Sequence, residues 1–269
     1  MDCYRFELRE YKHGCLDKSV DATYVIHLEG NGRLPNIETQ LKKYPLTKTN
    51  YILFNKGFST CKKHKDINMP ALDLIDAFKT VFQDAHEKKY ENILVFEDDF
   101  FYNEDINDSI VQSEINTFML NQKNQECLYY LGCIPFLQIP SLSNHRQVLV
   151  SIGMHACIYS KPLRDRILQN PKLLLITQDW DMFSNFLTRY MYYKPLCYQL
   201  FPNTQNSNET KKYGFGLGYI VYYLFKELNL DKQVDPGYDY FYLTSWIQFY
   251  IYLFLIMYAI LNYMEVYKT

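Results

Sequence analysis

The sequence predicts an α/β protein: a Rossmann-like, mainly parallel sheet flanked by helices, followed by a long apolar helix at the C-terminal end. Three observations carry that expectation. Short runs rich in β-branched and aromatic residues alternate with segments of helical spacing before residue 100. One of these runs, Ile93 to Phe96, is wholly apolar, as a central strand buried on both faces should be. From Tyr240 to Met264 the chain carries no Lys, Arg, Asp, Glu or His.

Composition removes several classes of function. Apolar residues make up 48% of the 269, and 28 Lys+Arg against 30 Asp+Glu leave a net charge of -2, which excludes a disordered chain. The missing basic excess argues against a polyanion-binding surface, so no nucleic-acid partner is expected. Seven cysteines without a C-x-x-C pair predict neither a zinc module nor a disulfide framework.

Residues 1–20 read as an N-terminal extension, mixed in charge and without the apolar stretch of a signal peptide. Ala22 to Leu28 is the first strand, closed by the turn residues Gly30, Gly32 and Pro35, after which Asn36 can cap a helix through Tyr44. Tyr51 to Phe54 is the second strand. Pro70 opens a helix with Leu72, Ile75, Phe78, Val81 and Phe82 on one face and Lys88 and Lys89 near its end. Ile93 to Phe96 is the third strand. A catalytic domain over 21–210 is followed by a helical linker over 211–239 and a transmembrane helix over 240–264. Within the linker, Gly214 to Gly218 (GFGLG) lacks a preceding strand and a downstream Lys-Ser/Thr, so it reads as a bend and not a phosphate loop. As a helix the final segment would span roughly 37 Å, more than the ~30 Å of hydrocarbon. Tyr240, Tyr242, Trp246 and Tyr263 stand where interfacial aromatic belts form.

In open α/β sheets ligands bind beyond the carboxyl ends of the strands. There the chain reads Glu97-Asp98-Asp99, followed directly by Phe100-Phe101-Tyr102. Adjacent carboxylates repel one another unless a cation or a donor-rich ligand lies among them. Hard oxygen ligands in that pattern suit Mn²⁺ or Mg²⁺, completed by substrate phosphates. A solvated acidic turn is the competing account, and the apolar flanks on both sides weigh against it.

The acidic cluster after a strand, the helix over ALDLIDAFKTVF before it, and a first strand ending in a turn with Arg33 resemble a GT-A-type nucleotide-sugar glycosyltransferase. The chain is most similar to glycosyltransferase family 25, which includes lipopolysaccharide-biosynthesis and procollagen galactosyltransferases. Gly153-Met154-His155-Ala156-Cys157-Ile158-Tyr159-Ser160, Asp179-Trp180-Asp181, and Tyr198 to Pro202 with Ser207 resemble its later segments in the same order. One departure is Leu72-Asp73-Leu74, where the family places a Ser-His pair.

The resemblance implies an inverting transfer of sugar from a UDP-linked donor to a carbohydrate, protein or lipid hydroxyl. It implies a metal held by Asp99 and Glu97, with His155 as a further candidate. Glu97, Asp98 and Arg33 would face the donor nucleotide. Asp179 or Asp181 would supply the base, with the Trp180 indole offering a flat face to a sugar, although an acidic start to the following helix would read the same way. Two other classes remain open: a metal-dependent phosphoryl hydrolase, which would want more clustered ligands, and a catalytically degenerate membrane protein of the same fold. A single C-terminal span with unpaired cysteines leads to the expectation of a cytosolic catalytic domain. The sequons at Asn107 and Asn208 lean weakly the other way.

Overall fold

The computed structural model describes residues 2–170, 180–201 and 223–266. Strands β1 (Tyr4–Glu10), β2 (Ala22–Leu28), β3 (Thr49–Asn55) and β4 (Asn92–Glu97) build the first part of the sheet. β3, β2 and β4 run parallel, with Leu28 beside Asn55 and Ile26 beside Glu97, so their carboxyl ends share one edge. β1 pairs antiparallel with β3, which makes residues 4–10 an edge strand of the sheet where the sequence suggested an extension. None of its residues is buried, Arg5, Leu8 and Glu10 being exposed and the rest half-buried, as befits an edge strand and not a central run.

After β4 come β5 (Phe100–Tyr102), β6 (Leu128–Gln138), β7 (His145–Ser160), β8 (Arg189–Tyr192) and β9 (Cys197–Gln199). The large sheet has the order β1-β3-β2-β4-β7-β6-β8, and β5 and β9 form a separate antiparallel pair. The parallel arrangement holds across β3-β2-β4. Beyond β4 the sheet is mixed, because β6 and β7 are joined by a short connection and therefore pair antiparallel.

The helices are α1 (Leu34–Lys43), α2 (Pro70–Glu87), α3 (Ser109–Asn121), α4 (Lys161–Gln169), the short α5 (Trp180–Ser184) and α6 (Gly237–Val266). α1 begins ahead of Asn36, because Pro35 lies in its first turn with φ already set for a helix. The sheet separates two cores. Ile93 and Val95 of β4 pack with Phe78 and Phe82 of α2, Leu163 of α4 and Trp180 of α5, whereas Leu94 and Phe96 pack with Ile37 of α1 and Ile115 of α3. β4 is thus covered on both faces, as its wholly apolar run required.

α6 divides by environment rather than by composition. Tyr238, Phe241, Tyr242 and Ser245 are buried against the domain, and Gln138 Nε2 donates to Tyr242 O and Ser245 Oγ, both at 2.8 Å. From Tyr250 to Met264 the apolar side chains stand exposed, Phe254 at 66% and Leu261 at 60%. The segment Gly237–Met264 is long and apolar enough to cross a membrane. Its first turns belong to the domain core, so the boundary expected at residue 240 cuts through a packed element. Of the linker, residues 211–222 lie outside the described part, including the glycines of GFGLG, and 223–227 are helical.

One cysteine expectation is corrected. Cys3 and Cys61 form a disulfide across a sequence separation of 58, with their Cα atoms 5.7 Å apart. No local spacing announces it, because β1 brings Cys3 to the loop after β3 only once the sheet has formed. Such a bond belongs to an oxidising environment, which removes the cysteine argument for a cytosolic domain. Cys15, Cys127, Cys133, Cys157 and Cys197 are unpaired thiols.

Candidate functional site

β4 ends at Glu97 and the chain turns through Asp98 and Asp99 into β5. The three carboxylates then take different environments. Asp98 is buried and tied down: its Oδ2 accepts from Leu28 N at 3.0 Å and Asn31 Nδ2 at 2.5 Å and lies 3.2 Å from His27 Nδ1. Its Oδ1 accepts from Arg33 Nη1 at 2.6 Å. Burial by itself would raise its pKa, but the hydrogen bonds from His27 and Arg33 outweigh that and hold it below the usual carboxylate range. Asp98 therefore folds the loop after β2 down over the end of β4.

Asp99 retains 18% side-chain exposure. Its Oδ2 accepts from the same Arg33 Nη1 at 3.1 Å, and its Oδ1 accepts from Gln199 Nε2 of β9 at 2.9 Å. Burial raises its pKa against the opposing pull of Arg33 and Gln199. Glu97 accepts no hydrogen bond among the described residues. Its pKa is pushed well above the ordinary value by burial first, then by Asp99, Asp181 and Asp98, with Arg33 opposing. Asp181 adds to that rise from more than eighty residues downstream.

Asp181 is placed by β7. Gly153 adopts φ +87°, a conformation glycine tolerates without a Cβ penalty, and its N–H donates to Asp181 Oδ1 at 2.8 Å. Arg33 thus meets Asp98 and Asp99 directly and feels Glu97, while Asp181 acts on Glu97 from the far side of β4. An excess of negative charge at a partly open strand edge calls for a cation, a proton, or a ligand rich in hydroxyl donors.

The remaining candidates are placed as follows. Asp179 lies outside the described residues, as do Pro202 and Ser207. His155 is completely buried, its Nε2 3.5 Å from Cys197 O and its Nδ1 without a partner among the described residues. Burial lowers its pKa to about 4, and no carboxylate acts on it. A Cβ at residue 132 would come within 2.7 Å of His155 Nε2, so Gly132 makes the room in which the imidazole sits. His155 belongs to the packing between β6, β7 and β9 and is not brought among the carboxylates. Trp180 offers no face to a sugar, because its indole stacks on Phe78 at 4.6 Å and Nε1 donates to the Tyr159 hydroxyl.

Asp73, at the start of α2, is buried, accepts from Asn55 Nδ2 at 2.9 Å and pairs with Lys63. Lys63 also donates to Asn55 Oδ1 at 2.8 Å and to Tyr4 OH at 2.6 Å. This polar cluster closes the carboxyl end of β3, and the Cys3–Cys61 bond holds the loop that supplies Lys63. His27 and Asn31 are site residues that sequence patterns did not single out, and Gln199 lay within the resembling segment Tyr198 to Pro202 without a role assigned to it. Asn31 sits in a legible turn, whereas His27 inside an apolar run carries no local signal.

Hard carboxylate oxygens suit Mg²⁺ or Mn²⁺ chemically. Among the described residues, however, no group of three or more His, Cys, Asp or Glu is arranged to hold a metal. A second mode needs only one or two carboxylates, with substrate phosphates and water completing the ion's shell.

No protein-family model matches the chain, and no curated protein matches it either. Solved structures are similar at a low level, two of them as follows. A197 from STIV has 16% identity, with 67% of this chain and 85% of that chain covered and a TM-score of 0.40. A glycosyltransferase involved in the glycosylation of the major capsid of PBCV-1 has 10% identity, with 71% and 97% covered and a TM-score of 0.39. Likenesses of this grade carry no argument about activity, which rests on the site geometry.

Proposed function

We propose that this chain is a nucleotide-sugar glycosyltransferase, moving a hexosyl group from a UDP-linked donor to a hydroxyl acceptor with inversion. One observation carries the reading: Glu97 and Asp99 stand at the carboxyl end of β4 with Arg33 bridging Asp98 and Asp99, and the neighbouring strand β7 holds Asp181 through Gly153 N. The resemblance to glycosyltransferase family 25 rests on the same residues.

In this reading Glu97 and Asp99 would hold Mg²⁺ or Mn²⁺, which would supply charge neutralisation for the leaving diphosphate. Arg33 adds a fixed positive charge beside the phosphates, oriented by Asp98 and kept from swinging away by the turn at Asn31. Asp181 or Asp179 accepts the acceptor hydroxyl proton while the oxygen bonds to the anomeric carbon and the bond from that carbon to the diphosphate oxygen breaks. A carboxylate among like charges is a better base than one in water, because its neighbours favour the protonated form. α6 attaches the enzyme to a membrane, with the span beyond residue 247 in hydrocarbon.

The test is a screen of nucleotide sugars with Mn²⁺ or Mg²⁺, scoring sugar transfer and slow donor hydrolysis without acceptor. Consumption of one nucleotide sugar that stops in chelator supports the reading. No consumption of any of them by a folded full-length protein with metal present would sink it.

A further inference from the structure

The apolar helix and the carboxylate site are joined by a direct chain of hydrogen bonds. Tyr238, in the first turn of α6, is fully buried. Its hydroxyl accepts from Gln199 N at 3.0 Å and donates to Gln199 O at 3.1 Å, so one phenol clamps both backbone groups of the residue. The Gln199 side chain then donates to Asp99 Oδ1 at 2.9 Å. The Tyr238 ring is fixed edge-on to Tyr198 at 4.9 Å, and a Cβ at Gly237 would come within 2.6 Å of Leu230, so the turn that presents the phenol is closely seated.

A membrane tether needs none of this. Burying apolar side chains would seat the helix equally well with phenylalanine, and a buried hydroxyl without partners would cost stability. Here both hydrogen-bonding capacities of the hydroxyl go to one residue, at the end of a three-residue strand with no large ladder of its own to hold it.

We propose that Tyr238 is a positioning residue of the carboxylate site, acting through Gln199 on Asp99, so that α6 is both a bilayer span and the brace of the site. The inference rests on the glycosyltransferase reading for the reaction it serves. It assigns the first two turns of α6, up to Ser245, to the working enzyme and the remainder to the membrane.

The experiment compares full-length protein, Tyr238→Phe, Gln199→Leu and the double variant, with kcat and KM for donor hydrolysis measured separately. Tyr242→Phe controls for a hydroxyl lost elsewhere on the helix. Amide exchange at Gln199 reports the clamp itself, independently of turnover. Expected are a loss of protection at Gln199 in Tyr238→Phe, a fall in kcat of about tenfold with KM little changed, and a double variant no worse than Gln199→Leu alone. Wild-type kcat in Tyr238→Phe overturns the proposal, as do losses that multiply in the double variant, since a purely structural role would act independently of Gln199. If the wild type turns over no nucleotide sugar while the Gln199 amide is protected, the clamp exists but the reaction does not, and the proposal falls together with the functional reading.

Discussion

Gln199 donates to Asp99 across 100 residues of sequence, the side chain of one short strand holding the carboxylate that follows another. This contact makes the two-stranded β5–β9 pair part of the site, and it explains why Asp99 is oriented although its neighbour Glu97 accepts no hydrogen bond among the described residues.

Asp99→Asn is therefore expected to keep the fold, since the amide preserves one acceptor oxygen, while turnover falls on the order of 10³-fold. Circular dichroism and donor-hydrolysis rates check the two halves. Near wild-type turnover would remove Asp99 from the reaction.

Asp98 behaves as a structural acid, so Asp98→Ala should destabilise the protein, by about 1–3 kcal/mol, because part-buried donors of Leu28 and Asn31 lose their acceptor and Arg33 keeps only Asp99. Its pKa is depressed in the folded state, so its contribution is present above the ordinary carboxylate value and disappears as pH falls through the folded one. Urea unfolding from neutral to acid pH should show the wild-type advantage over Asp98→Ala shrinking in acid.

Glu97 has the opposite sign. Its pKa is raised on folding by burial and by Asp99 and Asp181, so the charged form opposes the fold. Glu97→Gln should raise the Tm of metal-free protein at neutral pH, and the gain should vanish below the pKa of an unfolded glutamate. The same substitution should lower turnover, a stability–activity opposition that a surface acid would not show.

For Asp181→Asn the expected result is slow transfer with donor affinity retained, because Oδ1 remains to accept from Gly153 N and a base acts on the acceptor rather than the nucleotide. Isothermal titration with UDP and single-turnover rates separate the two. A parallel loss of UDP binding would move Asp181 to the donor side.

Truncation divides α6 in two. A chain ending at Gln248 should stay folded and leave the membrane fraction. One ending at Gly237 should unfold more readily by several kcal/mol, because Tyr238, Phe241 and Tyr242 leave the core and Gln138 loses two acceptors. Membrane sedimentation and thermal unfolding of both forms decide it, and equal stability would return α6 to a simple tether.

The sequence by itself determined those features whose physics is local. A strand buried on both faces must be apolar throughout, so Ile93 to Phe96 was legible, and so was the position of Glu97-Asp98-Asp99 at its end. Proline at a helix start and apolar residues every third or fourth position made α2 legible, and a run without charge made the outer part of α6 so. Only the tertiary structure decided which carboxylate does what. Asp98, Asp99 and Glu97 are neighbours of like chemistry, and they differ because Leu28, Asn31 and Arg33 reach one, Gln199 another, and no hydrogen-bond donor among the described residues the third. It likewise placed His155 in the core, Trp180 against Phe78, Cys3 on Cys61 and Tyr238 beneath Gln199. Each of those contacts joins segments far apart in sequence, where spacing carries no information, because the partner is chosen by strand register and layer packing once the sheet has closed.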